Sequence, residues 1–170
     1  MKPQDDEAIR SQISNFADSL KTLVLSTVDE LGSPHASYAP FVRKDGKFYV
    51  YLSRIADHYR HLERNPLADV LLIEDESRTA NPFARRRARF ACRAENLGNE
   101  GHEAIFALFA ERFGQSTIAM LRDLDFSLFG LEPRTGRYVA GFGRAYDIID
   151  SAGGGFAHVD RGGHGGAAQA

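Results

Sequence analysis

Apolar residues recur along the chain with two different spacings, which together predict short strands with helices between them. Ile9, Ile13, Phe16 and Leu20 lie three and four residues apart and predict a helix over residues 5–20. The run TLVLSTV at 22–28 is apolar and β-branched, which is typical of a buried strand. Further strands are predicted at 35–44, 47–53, 68–74, 86–95, 125–133 and 136–143, and further helices at 54–64, 99–113 and 115–122.

Most of the predicted strands are joined by tight turns, and this favours antiparallel pairing. Pro40 falls inside a predicted strand and demotes that part of it to an edge or a bulge. The residues Pro133 to Gly136 predict a turn between the last two long strands, and the segment AYDII at 145–149 continues the sheet. Six or seven short strands favour a closed or partly closed barrel, because closure removes exposed edges. We therefore expect an α+β fold that is mainly β.

Length and composition narrow the class of protein. A chain of 170 residues with 43% hydrophobic residues predicts one domain with a sizeable core. The single cysteine, Cys92, excludes an internal disulfide framework and a cysteine-rich metal cluster within one chain, and it fits a cytoplasmic location. No apolar run reaches the length of a membrane span, and the polar start MKPQDDEAIR is not a secretory signal. The net charge of −2 gives no general attraction to nucleic acid.

Arginines are concentrated in one short segment. Seventeen of the 21 basic residues are arginine, and five of them fall between Arg85 and Arg93. In a strand, Arg87, Arg89 and Arg93 lie on one face while Ala88, Phe90 and Cys92 lie on the other. Guanidinium groups bind carboxylates and phosphates, so the segment is a candidate site for an anionic ligand. The alternative is a solvated strand face whose arginines pair with acids of a neighbouring strand or of a partner subunit.

Two other groups of residues are candidates for binding. Ser53 and Arg54 precede a predicted helix that carries His58 and His61, and a helix start of this kind suits an anion. The two histidines, three residues apart, are also a possible metal pair, although no third ligand is evident nearby. Seven of the 16 glycines fall in residues 151–170, where His164 has glycine on both sides and could ligate a metal. The alternative is a tail whose histidine has no role.

The sequence lacks the motifs of several enzyme classes. It contains neither GxGxxG nor a GKS or GKT phosphate loop, so Rossmann-type dinucleotide binding and P-loop chemistry are unsupported. Ser26 and Ser37 show no nucleophile elbow with a histidine and an acid, so hydrolase chemistry is unsupported as well. Asp125 begins a predicted strand and could orient a histidine through a hydrogen bond, although an aspartate there is often only a turn residue.

Five strings of the sequence resemble one known superfamily. LVLSTVDELGSPHASYAPFV and FYVYLSRIADHYRHLERNPLADVLLIEDE are similar to the pyridoxamine 5′-phosphate oxidase-like, FMN-binding split-barrel superfamily. FARRRARF, DFSLFGLEPRTGRYVAGFGRAY and the C-terminal GH resemble its haem-utilisation branch. The resemblance runs from about residue 15 to 164. It implies a six-stranded antiparallel split β-barrel that works as a homodimer, with the cofactor or haem in the subunit interface.

The resemblance also assigns roles to individual residues. Relatives that use flavin hold the FMN phosphate in the region of Ser53, Arg54, His58 and Arg60, and the flavin ring lies along Tyr38, Ala39 and Pro40. In the haem branch a histidine of the C-terminal loop ligates the iron, and His164 matches it. An aspartate at the start of a late strand hydrogen-bonds that histidine, and Asp125 matches it. Arg85 best matches an arginine near the haem, and Arg87 belongs to the same cluster.

The implied function is oxidative degradation of haem with O₂ and an external electron donor, which releases iron. An FMN-dependent oxidoreductase and a carrier of haem or flavin without catalysis are the alternatives. We expect a split-barrel domain over residues 1–150 and a glycine-rich tail over 151–170 that carries the haem ligand. The partners expected are a second copy of the chain, haem and the electron donor, with neither nucleic acid nor a membrane.

Overall fold

Six strands close into an antiparallel β-barrel in the order β3-β2-β1-β4-β5-β6, and pairing between β3 and β6 completes the ring. The structure is a computed structural model that describes residues 3–150 and 156–159. Two further strands, β7 and β8, extend the sheet from the second half of β6. The elements are α1 (Pro3–Asp18), β1 (Thr22–Val28), β2 (Pro34–Lys44), β3 (Lys47–Ser53), α2 (Asp57–Arg64), β4 (Leu67–Ile73), β5 (Arg87–Gly98), α3 (Glu103–Phe113), α4 (Gln115–Arg122), β6 (Phe126–Gly141), β7 (Arg144–Ile148) and β8 (Phe156–His158).

The strand alternation seen in the sequence builds the core of the barrel. Alternate residues of each strand point inward and are buried, and α1 covers the core with Ile9, Ile13 and Phe16. A second apolar cluster lies outside the barrel wall, where α3 and α4 pack against Tyr51 and Leu128. The fully buried side chains of the barrel each contribute about 1.5–3 kcal/mol relative to exposure in water. The predicted closed α+β barrel is therefore confirmed.

The arginine-rich strand β5 has the predicted two faces. Ala88, Phe90 and Cys92 are buried, whereas Arg89 and Arg93 are exposed. Burial, and secondarily the nearby Asp69 carboxylate, raises the pKa of the Cys92 thiol to about 12. Since the thiolate is the reactive form, Cys92 is an inert core residue.

Pro40 marks the point where β2 exchanges one neighbour for another. Residues Pro34 to Pro40 pair with β1, and Phe41 to Lys44 pair with β3. Over its first half, β2 therefore has a strand on only one side among the described residues. The predicted edge position of Pro40 is confirmed.

The predicted turn from Pro133 to Gly136 is wrong, because β6 runs without interruption from Phe126 to Gly141. Cys92 of β5 pairs with Pro133 and the preceding residue, Ala91, pairs with Thr135, so Arg134 is the extra residue of a β-bulge. Gly136 permits a close approach of two strands, since a Cβ there would lie 2.3 Å from the carbonyl oxygen of Arg89. Proline and glycine suggested a turn, whereas their actual roles depend on the neighbouring strand.

Candidate functional site

Ser53, Arg54 and Asp125 come together where β3 ends and β6 begins. The register pairs Ser53 with Phe126, which places Asp125 directly beside the end of β3. The Ser53 hydroxyl donates to the Asp125 carboxylate, with Oγ 3.1 Å from Oδ1 and 3.2 Å from Oδ2. The Arg54 amide donates to the Asp125 carbonyl at 3.0 Å and ties the two loops together. We call this arrangement of Ser53, Arg54 and Asp125 the Asp125 corner.

The Asp125 carboxylate can accept further hydrogen bonds. It is exposed, and Ser53 offers a single hydrogen to its two oxygens. No lysine or arginine of the described ranges forms a salt bridge with it. Two neighbouring apolar side chains, Ile55 and Leu124, are 82% and 54% exposed on the loops that the Arg54 amide joins. An accessible acceptor beside exposed apolar groups suits a partly apolar ligand or partner that brings an N–H donor.

Asn96 and Asn99 hold the start of β6 in place. The Asn96 amide nitrogen donates to Tyr59 and Glu63 of α2, at 3.1 and 2.7 Å. Its oxygen accepts from the Ser127 hydroxyl at 2.8 Å, so it links α2 to β6. Asn99 donates to the Phe126 carbonyl at 2.9 Å. Sequence reasoning missed both asparagines, because no local pattern distinguishes them from ordinary loop residues.

His58 faces the sheet. Its Nδ1 lies 2.9 Å from the Ser37 hydroxyl oxygen, and that hydroxyl donates its only hydrogen to the Leu25 carbonyl at 3.2 Å. His58 therefore donates from Nδ1. Burial, followed by the nearby His35, lowers the pKa of His58. The imidazole is thus neutral near pH 7 and supplies no charge to attract a phosphate.

The interpretation of His58 and His61 as a metal pair is not supported. His61 hydrogen-bonds through Nδ1 to the buried Thr27 hydroxyl at 2.9 Å, and its ring lies edge-on to His35 with centroids 5.1 Å apart. His58 instead contacts Ser37. Within the described part of the chain, no three His, Cys, Asp or Glu side chains are placed to hold a metal ion. The two histidines fasten α2 to β1 and β2.

The sequence-predicted phosphate site has little free positive charge. Arg60 forms an ion pair with Asp57 on the same helix, and this hydrogen bond lowers the pKa of Asp57. The Ser53 hydroxyl is already used by Asp125. Arg54 is exposed and is the remaining cation of this group. A phosphate placed here would meet the Asp125 carboxylate, and that arrangement is unfavourable for FMN.

We expect acidification to weaken the fold through His58. Because its folded-state pKa lies below the unfolded value of about 6.5, the unfolded chain binds a proton first as pH falls. The contribution of neutral His58 to the free energy of unfolding is present above about pH 6.5 and is lost as pH falls toward the lowered folded-state pKa. Urea unfolding at about pH 8 and about pH 5.5 measures the loss. His58→Asn keeps a donor near Ser37 without titrating, and an equal pH dependence in that variant would contradict the prediction.

The arginine-rich segment pairs largely with its own chain, as the second interpretation of it proposed. Arg86 forms an ion pair with Glu74 at 3.0 Å, and Arg89 forms one with Asp69 at 2.6 Å. Arg85 donates through Nε to the Glu74 carbonyl at 2.7 Å, and Arg87 donates to the Arg85 carbonyl at 2.8 Å. Arg85 also forms an ion pair with Glu76, with Nη1 3.9 Å from Oε2. Because that distance is too long for a hydrogen bond, Arg85 and Arg87 keep further N–H groups for another acceptor.

Tyr38, Ala39 and Pro40 lie along the free edge of β2. The Tyr38 side chain is 68% exposed on the outer face, where it lines a cavity of about 490 Å³ with Leu71 and Arg78. Ala39 points inward and is buried, so only its backbone can meet a ligand. His58 contacts the opposite face of β2 through Ser37. The structure therefore does not place Tyr38 and His58 on one surface.

His164 lies outside the described residues. The described chain reaches Val159, whose amide donates to the Ala145 carbonyl at 2.9 Å. Just before it, β8 pairs with β7, Phe156 is buried, and His158 donates through Nε2 to the Gly143 carbonyl at 3.0 Å. β8 was not predicted from the sequence, because its three residues are too few to show an alternating pattern.

Comparisons with known proteins place the chain among haem-utilisation proteins. Residues 8–140 match the family described as pyridoxamine 5′-phosphate oxidase. The chain is 37% identical over 161 residues to heme oxygenase HutZ of Vibrio cholerae, a match that covers 91% of this chain and 89% of HutZ.

Two solved structures resemble the fold closely. Campylobacter jejuni ChuZ is 32% identical with a TM-score of 0.82, over 90% of this chain and 63% of ChuZ. A crystal structure of Vibrio cholerae HutZ, described there as a haem storage protein, is 40% identical with a TM-score of 0.68, over 73% of this chain and 89% of HutZ. This chain therefore spans less than two thirds of the length of ChuZ.

Proposed function

Because this chain belongs to the pyridoxamine 5′-phosphate oxidase family and to its haem-utilisation branch, we propose that it binds haem and degrades it oxidatively. HutZ, which is similar over most of the chain, carries the names of both a haem oxygenase and a haem storage protein. The observation that carries the proposal is the Asp125 corner, with its exposed carboxylate held by Ser53. An exposed carboxylate that is held in place by a hydroxyl group can accept a hydrogen bond from the N–H of a metal-bound imidazole.

His164 is the iron ligand in this proposal, and Asp125 is its partner. Accepting the N–H of the imidazole fixes the orientation of the ring and makes its other nitrogen a stronger donor. Arg85 and Arg87 offer their remaining N–H groups to the propionates. When bound, haem supplies the oxygen chemistry that opens its own ring, with electrons from an external donor. The protein's contribution is the ligand, its orientation and the binding of the carboxylates.

His158, near the end of the described chain, lies toward the opposite end of β6 from the Asp125 corner. Tyr138 of β6 pairs with Tyr146, which pairs in turn with His158, whereas Asp125 precedes the first residue of the strand. The twelve residues from Phe126 to Tyr138 cover about 40 Å along the strand. The six residues from His158 to His164 reach at most about 22 Å.

This difference in reach favours a site shared between two chains. Along β6, the path from Asp125 to the level of His158 is nearly twice the reach of the six residues that follow His158. A second copy can bring its own tail to the Asp125 corner, where Ile55 and Leu124 supply exposed apolar contact surface. We therefore infer a homodimer in which each haem site takes Asp125 from one chain and His164 from the other. The barrel is then one functional unit, and the glycine-rich tail is the other.

The protein is proposed to act in the cytoplasm, where thiols stay reduced. Its one cysteine is free and buried. No helix in the described ranges is long and apolar enough to cross a membrane.

Haemin titration of the purified protein tests the proposed function. We expect a Soret band that saturates at one haem per chain, followed by loss of the band and release of chelatable iron when ascorbate and air are supplied. A stable Soret band with no iron release would make the protein a carrier. Tight, stoichiometric binding of FMN in place of haem would overturn the proposal in favour of the flavin alternative, which the paired Arg60 and Ser53 side chains disfavour.

A further inference from the structure

A cavity of about 570 Å³ lies on the outer wall of the barrel, away from the Asp125 corner. Its floor is formed by β3, β5 and β6, and the start of α3 borders it through His102 and Ile105. This volume is in the range of sites for small molecules.

The cavity exists because the central strand carries a glycine on its floor. Gly130 pairs with Tyr49 on one side and with Glu95 on the other. A Cβ at Gly130 would lie 3.2 Å from Leu97 Cδ1 and 3.7 Å from Tyr49 Cε1. A larger side chain at this position would therefore fill the space between the apolar walls.

The rim of the cavity carries positive charge that the chain does not neutralise. Arg134 forms an ion pair with Glu132 at 2.9 Å. Lys47 and Arg93 form no salt bridge with the described residues. Glu95 is the remaining acid of the lining, so cations exceed acids by one. The positive end of the α3 dipole adds to this potential, since the first turn of α3 borders the cavity.

We propose that this cavity binds a small organic anion with a flat apolar body. The carboxylate of the ligand pairs with Arg93 and Lys47 at the rim, and its ring lies over Gly130 between Tyr49 and Leu97. This site is separate from the proposed haem site and does not depend on it. It would give the protein a second small-molecule ligand.

Calorimetric titration with naphthalene-2-carboxylate tests the site in the full-length protein. We expect wild type to bind this anion at least tenfold more tightly than the neutral naphthalene-2-methanol. Gly130→Val fills the floor and Arg93→Met removes the rim charge, and each is expected to weaken binding at least tenfold. Lys44→Met, an exposed lysine that does not line the cavity, is the matched control and leaves the affinity unchanged.

Three results would overturn the proposal. They are a lack of preference for the anion, an affinity unchanged in Arg93→Met, and equal losses in Arg93→Met and Lys44→Met. Arg93→Met replaces an exposed side chain, so its result stands even if Gly130→Val folds poorly. Repeating the titration in Asp125→Asn separates the two sites, because binding of the naphthoate persists there whether or not haem binds.

Discussion

A dimer that combines one Asp125→Ala chain with one His164→Ala chain is expected to regain one complete haem site, although neither variant alone retains one. Loss of a carboxylate that orients a metal ligand costs about 10–100-fold in metal affinity or activity. Loss of His164 removes the proposed ligand itself. If each site takes the two residues from different chains, the mixed dimer holds one intact site and one doubly altered site. When the two variant chains reassort at random, half of the dimers are mixed and each of these has one intact site of two, so about a quarter of the wild-type sites are restored.

The opposite combination provides the control. A chain carrying both substitutions, paired with a wild-type chain, has no intact site when the two residues come from different chains. It keeps one intact site when both residues come from the same chain. Co-expression with two different affinity tags isolates each mixed dimer, and the Soret absorbance per dimer reports the number of sites. Suppose that haem binding is recovered when the doubly substituted chain pairs with wild type, but not when Asp125→Ala pairs with His164→Ala. Each chain would then build its own site, and the inference of a site shared between two chains would be wrong.

The barrel could be predicted from the sequence because its strands alternate clearly. TLVLSTV, for example, occupies β1 with the predicted bounds. The interruption predicted in β6 was wrong because the roles of Pro133 and Gly136 depend on their pairing with β5, which lies about forty residues earlier in the chain. A bulge and a close backbone approach are properties of two strands, and one strand's sequence does not contain them.

The candidate site was predictable as a set of residues but not as an arrangement. Ser53 and Asp125 were each singled out, yet their hydrogen bond spans 72 residues of sequence and needs the β3–β6 register. The anion site assigned to Arg60 and His58 looked basic in the sequence. In the fold, Asp57 neutralises the first, and burial keeps the second uncharged. Asn96 shows the same limit, because only packing brings α2 and β6 to its side chain.

Gly136→Ala is expected to destabilise the barrel strongly. The added Cβ would lie 2.3 Å from the Arg89 carbonyl oxygen and 3.2 Å from Phe90 Cδ1. Because the closer atom belongs to the backbone of β5, the clash is relieved only if β5 and β6 move apart, which weakens the hydrogen bonds between them. Movement of the two strands is restricted, since β5 also pairs with β4 and β6 also pairs with β7. Disruption of this kind costs about 3 kcal/mol, which corresponds to a fall of about 6–12 °C in Tm for a chain of this size.

Gly130→Ala is the matched control in the same strand. Its Cβ would meet Leu97 Cδ1 at 3.2 Å, and the end of a leucine side chain can move aside where a carbonyl group cannot. We therefore expect Gly130→Ala to change Tm by about 2 °C or less, since mild substitutions stay within about 0.5 kcal/mol. Calorimetric melting of both variants measures the difference. Equal melting temperatures would mean that β5 and β6 can move apart at the bulge, and that close approach is not why glycine occupies position 136.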